Sequence, residues 1–474
     1  MIRECFQQLS LWDTYDTWIV ATAALAAMAC ALPGVFLVVR RQSMMGDALS
    51  HTTLPGIVAA FLFAHYLRTC GWISPEIYDV WRHAAMFMGA MSIGVFSAIL
   101  TEWVQRQGRV EASAALGVVF TTLFAVGLLS IRLVADNVHI DPDCVLYGNI
   151  ETVAMDLWPG TTIPRAAVVN GAVLLSNLAL VCLLFKELRI SAFDAALATT
   201  MGINARWMHY GLMAITAATL VSAFETVGSI LVIAMLIVPA ATAHLLTDRL
   251  SGLIGLSLLL AALSAVIGHA LAIMAPSIVF SRLGFDSVVD ASTAGMVAVA
   301  GGLLFVAAMF LGPRYGIVSK FVHRTQLRLR IASEDILGLL YRNDEKQGEG
   351  VALPLSDLGS VVFGGLLSRL ALWQLTRAGD LAFGEAGFYL THDGKLRAER
   401  LVRSHRLWET YVAKHFELPD DHLHQTANWV EHFIDPDLRD ELFVELSKPT
   451  EDPHGRVIPF AAEVDPTAAT TEPQ

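Results

Sequence analysis

The chain has 474 residues, a formal net charge of −12, 55% hydrophobic residues and 16% charged ones. That length holds two or three ordinary domains, but so apolar a composition excludes a wholly soluble protein, and part of the surface must face lipid. From about Thr17 to Leu311 apolar stretches follow one another, each close to the ~20 residues that cross a bilayer as helix. After Arg324 ordinary charge density returns, and the rest of the chain carries a net charge of about −10. The expected division is a membrane region, residues 1–324, an acidic soluble region, residues 325–460, and a Pro/Thr-rich disordered end, residues 461–474.

The opening MIRECFQQLSLWDTYDTW lacks a basic cluster leading into an apolar core and a small-residue cleavage site, so the first helix serves as the insertion signal. Cys5, Cys30, Cys70, Cys144 and Cys182 are scattered, without a CxxC pair and without any member in the soluble region. This disfavours disulfides and structural zinc alike. Apolar runs place spans near 17–39, 52–67, 84–105, 113–131, 166–185, 207–224, 228–246, 252–274 and 291–311. The run pair 207–224 and 228–246 almost touches, so the count is about nine, or eight with a re-entrant piece. With nine, Arg40, Arg41, Arg106, Arg109, Lys186, Arg189, Arg206, Arg249, Arg314, Lys320 and Arg324 fall on one side. Arg68, Arg82, Arg132, Arg165 and Arg282 fall on the other. The richer side is cytoplasmic by the positive-inside rule, which puts the soluble region in the cytoplasm.

In the soluble region the pattern predicts a helix at 333–345, an apolar Gly-rich stretch at 351–379 and a hairpin around 380–391. Helices follow at 393–416 and 420–433, with LPDD at 418–421 as the break and Asp420 or Asp421 as the next cap.

Within the membrane region, MMGDALSHTTLPGI (44–57) carries Asp47 and His51 four residues apart. On a helix that spacing puts a carboxylate and an imidazole on one face, where they can share a divalent ion. An Asp N-cap and an interfacial His would explain the pair equally well, and spacing alone does not choose. The segment resembles the signature of the zinc/manganese/iron class of ABC permeases. EASAALGVVFT (111–121), VLYGNI (145–150), ETVGSILVIAMLIVPAATA (225–243) and LFVAAMFLGPRYGIV (304–318) resemble further landmarks of that family, in the same order. The resemblance implies a metal path between two permease copies with Asp47 and His51 on it. FDAALATTMGIN (193–204) resembles the coupling helix of ABC importers, which implies that Asp194, Ala195, Ala198 and Gly202 contact an ATPase. Its small residues permit close approach of another backbone. No Gly-rich phosphate loop ending in Lys-Ser/Thr occurs, so the ATPase is expected to be a separate protein.

In the soluble region His405 and Glu409 form an i,i+4 pair, and His424, Glu431 and His432 lie on the next predicted helix. Two antiparallel helices would point these groups at each other, a donor mix suited to Mn²⁺, Fe²⁺ or Zn²⁺. Spacing alone equally fits solvated surface helices. LTHDGKLRAERLVRSHRLWETYV (390–412), HLHQTANWVEHFIDPDLRDEL (422–442) and TEDPHGRVIP (450–459) resemble the metal-dependent repressors of the diphtheria-toxin-repressor and manganese-repressor type. That resemblance implies a winged-helix, metal-sensor-like domain with His405, Glu409, His424, Glu431 and His432 as regulatory ligands, and Asp335 as a first-helix ligand. Asn428 and Gly338 depart from the family pattern. Both remove ligand charge, which argues against two-ion binding and for weaker affinity. The stretch matching the DNA-reading helix, 359–377, offers Arg369 and Arg377 but is otherwise apolar in an acidic domain, so DNA binding is disfavoured.

The expected protein is an all-α polytopic membrane permease of the bacterial cytoplasmic membrane with a C-terminal cytoplasmic, mainly helical metal-sensor-like domain. It is not itself an enzyme, and it has no organic cofactor. The partners implied are an ATPase subunit, an extracytoplasmic metal-binding protein and a second permease copy. Two other readings use the same residues differently. A membrane-tethered metal-responsive transcription regulator would bind a promoter through its tail, and an importer of metal chelates should lack the Asp47/His51 pair.

Overall fold

The computed structural model describes residues 12–70, 78–134, 148, 150–282, 291–348, 350–355, 357–358, 366–416 and 426–459. His424, the LPDD break with Asp420 and Asp421, Cys5, Cys144, most of VLYGNI, residues 359–365 and the expected disordered end lie outside them. The chain divides into two compact units at Ser319/Lys320.

The first unit is built from helices α1 (Thr14–Val39), α2 (Ser43–Thr69), α3 (Tyr78–Gly108), α4 (Ala112–Val134) and α5 (Arg165–Leu183). Two short helices, α6 (Phe185–Phe193) and α7 (Ala195–Thr200), precede α8 (Ala205–Val227), α9 (Ser229–Leu246), α10 (Leu250–Arg282) and α11 (Thr293–Leu311). Eight of the described helices are long and apolar enough to cross a membrane, and Leu231–Leu246 is a shorter apolar helix. The chain is therefore a multi-pass membrane protein. The near-touching pair resolves into two helices: Gly228, at φ 84°, ends α8 and starts α9, a backbone geometry that glycine adopts without steric cost. α9 packs into the bundle, with Val232, Leu236, Ala240 and Ala243 fully buried.

α2 starts at Ser43 rather than near residue 52. The polar run GDALSHTT hides the helix start from a hydropathy reading. Thr52 and Thr53, both buried, turn their hydroxyls onto the carbonyls of Leu49 and Ser50, which lets polar side chains sit in an apolar bundle. Asn177 on α5 donates to Thr219 on α8 at 2.8 Å, and Asn170 donates to Thr226 at 3.0 Å. These partners run in opposite directions along antiparallel helices, as a two-rung ladder. Elsewhere small residues allow helix backbones to meet: a Cβ at Gly34 would collide with the Leu236 carbonyl of α9, and Gly56 and Gly89 are each other's nearest obstacles.

The second unit takes in most of α12 (Ile317–Gln347), then α13 (Leu366–Ala378), the strands β1 (Leu381–Gly384) and β2 (Gly387–Leu390), α14 (His392–His415) and α15 (Pro436–Glu445). Ile336, Leu340, Leu358, Leu372, Leu375 and Ala398 form its core. The expected hairpin is present, in the register Leu381↔Leu390 to Gly384↔Gly387. It stands between α13 and α14 as a wing, and Leu353 adds a single bridge to Phe388. The expected helix 420–433 is helical at 426–430 and tightens into a 3-10 turn at Glu431–Phe433. α15 went unassigned in the sequence although its start carries clear signals, an Asp435 cap on the Leu438 amide and Pro436 in the first turn.

Gly34→Ala should destabilise the membrane unit by about 1–3 kcal/mol, since the added methyl must push two backbones apart. Gly302→Ala, whose Cβ meets nothing within 4 Å, is the control. Thermal unfolding of the purified chain in detergent compares the two, and equal melting temperatures would disprove the close α1–α9 approach.

Candidate metal sites

Asp47 and His51 occupy the first turns of α2, with His51 Nε2 3.7 Å from Asp47 Oδ1. Their side chains are 46% and 37% exposed in the single chain, although Ala48, Leu49 and Thr52 beside them are buried. The His51 ring stands edge-on to Phe124 of α4 at 5.3 Å and near Phe120 at 6.1 Å. The pair therefore lies on the outside of the bundle, backed by aromatic rings.

α7 is a six-residue helix capped at both ends. Asp194 accepts from the amides of Ala196 and Leu197, both at 2.9 Å. Gly202, at φ 83°, closes the other end, with Ile203 N–H donating to Ala198 O and Gly202 N–H to Thr199 O. That is the paired closure a left-handed glycine permits. Asp194, Ala195, Ala196 and Gly202 are exposed, together with Phe193, Leu197 and Met201. Ala198 is fully buried in its own chain, so its small side chain serves internal packing rather than an outer contact.

In the second unit α14 carries His405 and Glu409, one turn apart and both buried. His405 Nε2 lies 3.1 Å from Glu409 Oε1, and its Nδ1 lies 2.5 Å from Oε2 of Glu431, across on the 3-10 turn. Burial disfavours the charged form of His405, but the hydrogen bonds and negative charge of Glu409 and Glu431 outweigh it and hold the pKa above the ordinary value. His432 Nδ1 meets Glu334 at 2.7 Å and its Nε2 meets Asp335 at 3.3 Å, both on α12. Burial again works against the charge. Asp335, Glu334 and Glu431 more than offset it, and the pKa rises to about 9. Glu334 is itself held below the usual carboxylate range: burial pushes it up, and hydrogen bonds from His432 and Arg330 pull it further down.

Ligand atoms of Asp335, Glu431 and His432 lie within 4.8 Å of one another, and those of Glu409, Asp452 and His454 do likewise. Asp452 and His454 of this second group come from the loop TEDPHGRVIP and were absent from the expected ligand set. Asp452 Oδ1 accepts from the amides of His454 at 2.9 Å and Arg456 at 2.8 Å, fixing the loop. Its Oδ2 is buried without a hydrogen-bond partner. A buried carboxylate oxygen whose nearest cation, Arg406 Nε, stands 3.8 Å away, set beside a second carboxylate and an imidazole, is a donor set that fits a divalent ion. The signal in the sequence was the pair Asp-x-His before a glycine, and Glu334 was legible only as the neighbour of Asp335. Asn428 is exposed, and Gly338 packs against Leu401.

Residues 14–312 match the ABC 3 transport family. The chain belongs to that family. It is a metal-transporter permease across this region, and residues 391–460 match the metal binding and dimerisation domain of iron dependent repressors. The chain is 36% identical over 313 residues to the manganese transport system membrane protein MntD of Bacillus subtilis, covering 65% of this chain and 95% of that one. It is 38% identical over 316 residues to the zinc transport system membrane protein TroD of Treponema pallidum, covering 66% of this chain and 78% of the relative. Among solved structures it resembles PsaBC from Streptococcus pneumoniae in complex with Fab, with a TM-score of 0.50 and 25% identity. That match covers 66% of this chain and 98% of the other. Both curated relatives are named as transport-system membrane proteins, in line with a permease rather than an enzyme.

His432→Ala and Asp452→Ala, taken separately, should each remove about one bound Mn²⁺ per chain if the two groups each hold an ion. Equilibrium dialysis of the purified full-length permease counts them. An Asp452→Ala chain that binds as many ions as wild type would eliminate the second group.

Proposed function

We propose that this permease carries divalent first-row metal ions into the cell, driven by a separate ATPase, along a path that includes Asp47 and His51. The half-exposed Asp47–His51 pair on a membrane helix carries this reading. Ionisable groups facing hydrocarbon are costly, so a pair left on the outside of one bundle is accounted for by a second permease copy that covers it and completes a polar path. Relatives named for manganese and for zinc support the class of cargo, and His with carboxylate suits either ion. The excess of Arg and Lys on one side of the expected topology supports a cytoplasmic tail. α7, with its exposed Phe193, Leu197 and Met201 beside Asp194 and Gly202, is the contact for the ATPase, and an extracytoplasmic metal-binding protein delivers the ion.

The tail acts as a brake. When cytoplasmic metal is high, ions held by Asp335, Glu431 and His432, and by Glu409, Asp452 and His454, favour a state that does not cycle. His405 joins the two groups through Glu431 and Glu409, and His424 is a further ligand. A tenfold change in transport needs a difference of only about 1.4 kcal/mol in how the ion binds the two states.

Cells carrying the permease with its ATPase should take up labelled Mn²⁺ or Zn²⁺, and Asp47→Asn/His51→Ala should reduce uptake to background while assembly with the ATPase persists. Wild-type uptake by the double variant would refute the path. Proteoliposomes loaded with metal on the tail side test the brake separately. His405→Ala/Glu431→Ala/His432→Ala should relieve the inhibition without changing uptake at low internal metal. Identical inhibition curves would remove the regulatory role and leave the transport reading standing.

A further inference from the structure

The membrane unit ends in a fixed turn. α11 stops at Leu311, Gly316 N–H donates to Gly312 O at 3.0 Å, and Tyr315 donates to Asp248 Oδ1 at 2.9 Å, in the link between α9 and α10. Arg314 pairs with the same carboxylate. α12 therefore leaves from the end of the bundle, close to where the last apolar helix reaches the bilayer surface.

The first part of α12, IVSKFVHRTQLRLR (317–330), is unlike the acidic sequence that follows. It contains Lys320, Arg324, Arg328 and Arg330 and no acidic residue before Glu334. At the helical period, Ile317, Val318, Phe321, Val322, Thr325 and Leu329 share an arc of about 140°. Lys320 and Arg324 flank this arc on one side, and Arg328, spaced i+8 from Lys320, falls just inside its edge. Ile317, Val318, Phe321 and Val322 are all exposed among the described residues, Phe321 to 71%, while Leu329 at the far end of the arc already packs on the core of the second unit. Burial begins only at Ala332, Ile336 and Leu340, where the same helix enters the core of the second unit.

We propose that residues 317–330 form a membrane-surface helix. Ile317, Val318, Phe321 and Val322 sit at the boundary between headgroups and acyl chains, and Lys320, Arg324 and Arg328 rest on the phosphates of anionic lipids. An apolar arc bordered by long cationic side chains is the pattern that buries its stems in the interface while the charges stay at headgroup level. The bilayer is the occupant favoured over a protein because the helix starts six residues after a membrane span and carries charge opposite to that of an anionic lipid surface. The tail beyond Arg330 is acidic overall and would be repelled from the same surface, which favours this segment as the attachment.

Site-directed spin labels on the full-length permease test the assignment in bilayers of phosphatidylcholine alone or mixed with phosphatidylglycerol. Val318→Cys, Phe321→Cys and Val322→Cys should collide with oxygen and be shielded from a water-soluble nickel chelate. Ser319→Cys, His323→Cys and Gln326→Cys should show the reverse. The contrast should shrink without phosphatidylglycerol, and equally in Lys320→Gln/Arg324→Gln/Arg328→Gln. Hydrogen exchange of the unsubstituted chain over 317–330, slower with the anionic lipid, supports the same conclusion without cysteine variants. Equal nickel access at 321 and 323 overturns the proposal. Shielding of 318, 321 and 322 from both reagents in every lipid assigns the face to a protein partner instead, and a contrast indifferent to phosphatidylglycerol removes the phosphate contacts.

Discussion

Taking an ionisable or polar group out of water is costly unless a partner replaces the water, and both units of this chain are arranged around that cost. In the membrane unit most buried hydroxyls return to their own helix backbone, and several longer polar side chains are paired across helices. Asn170 and Asn177 bind Thr226 and Thr219, and His269 sits between Thr293 at 3.1 Å and Asp16 at 3.2 Å. Glu151 accepts from the first amide of α11 at 3.0 Å, tying the start of that helix to the turn Ile150–Met155. Asp47 and His51 do not follow this rule. They touch one another only loosely and face outward, and that departure sets them apart from the structural polar pairs.

The same cost shapes the tail. His405 and His432 are buried, yet each ring has a carboxylate at both nitrogens, so the imidazolium forms are stabilised and offset about half of the carboxylate charge around them. Arg342 adds a cation 3.7 Å from Glu431, and Arg406 grips Glu345 through two hydrogen bonds, at 2.9 and 2.6 Å. A divalent ion bound in such a cluster takes over the positive charge that the protons otherwise supply, because its ligands must bind it deprotonated. The carboxylates are thus compensated in either case, which lets so many of them share one interior.

Much of this was legible from residue order. Apolar runs located the membrane helices because length and hydropathy are set by the bilayer, and the wing hairpin was visible in its Gly-bounded alternation. What hydropathy missed was the start of α2, where buried threonines pay no penalty once their hydroxyls return to the helix backbone. The i,i+4 pairs Asp47/His51 and His405/Glu409 were readable because a helix fixes which residues share a face. Asp452 and His454 were not, since a loop has no such period and only the three-dimensional return of Thr450–Ile458 to α14 brings them to Glu409. Ala198 shows the opposite limit: a small residue in a docking-like motif can equally serve its own chain, and only burial distinguishes the two.

The departures from the repressor pattern also read differently once the helices are placed. Gly338 removes a carboxylate from α12, and a side chain there would press on Leu401. Glu334 lies four residues earlier, on the same helical face, and presents its carboxylate to His432 at 2.7 Å. Asn428 contributes no charge from its exposed position, while Asp452 brings a buried carboxylate to Glu409 from the opposite end of the domain. Each missing charge is thus met by another carboxylate reaching the cluster by a different backbone route. Counting carboxylates along one motif underestimates how many stand within reach of this cluster, because a neighbouring helix position and a distant loop supply others.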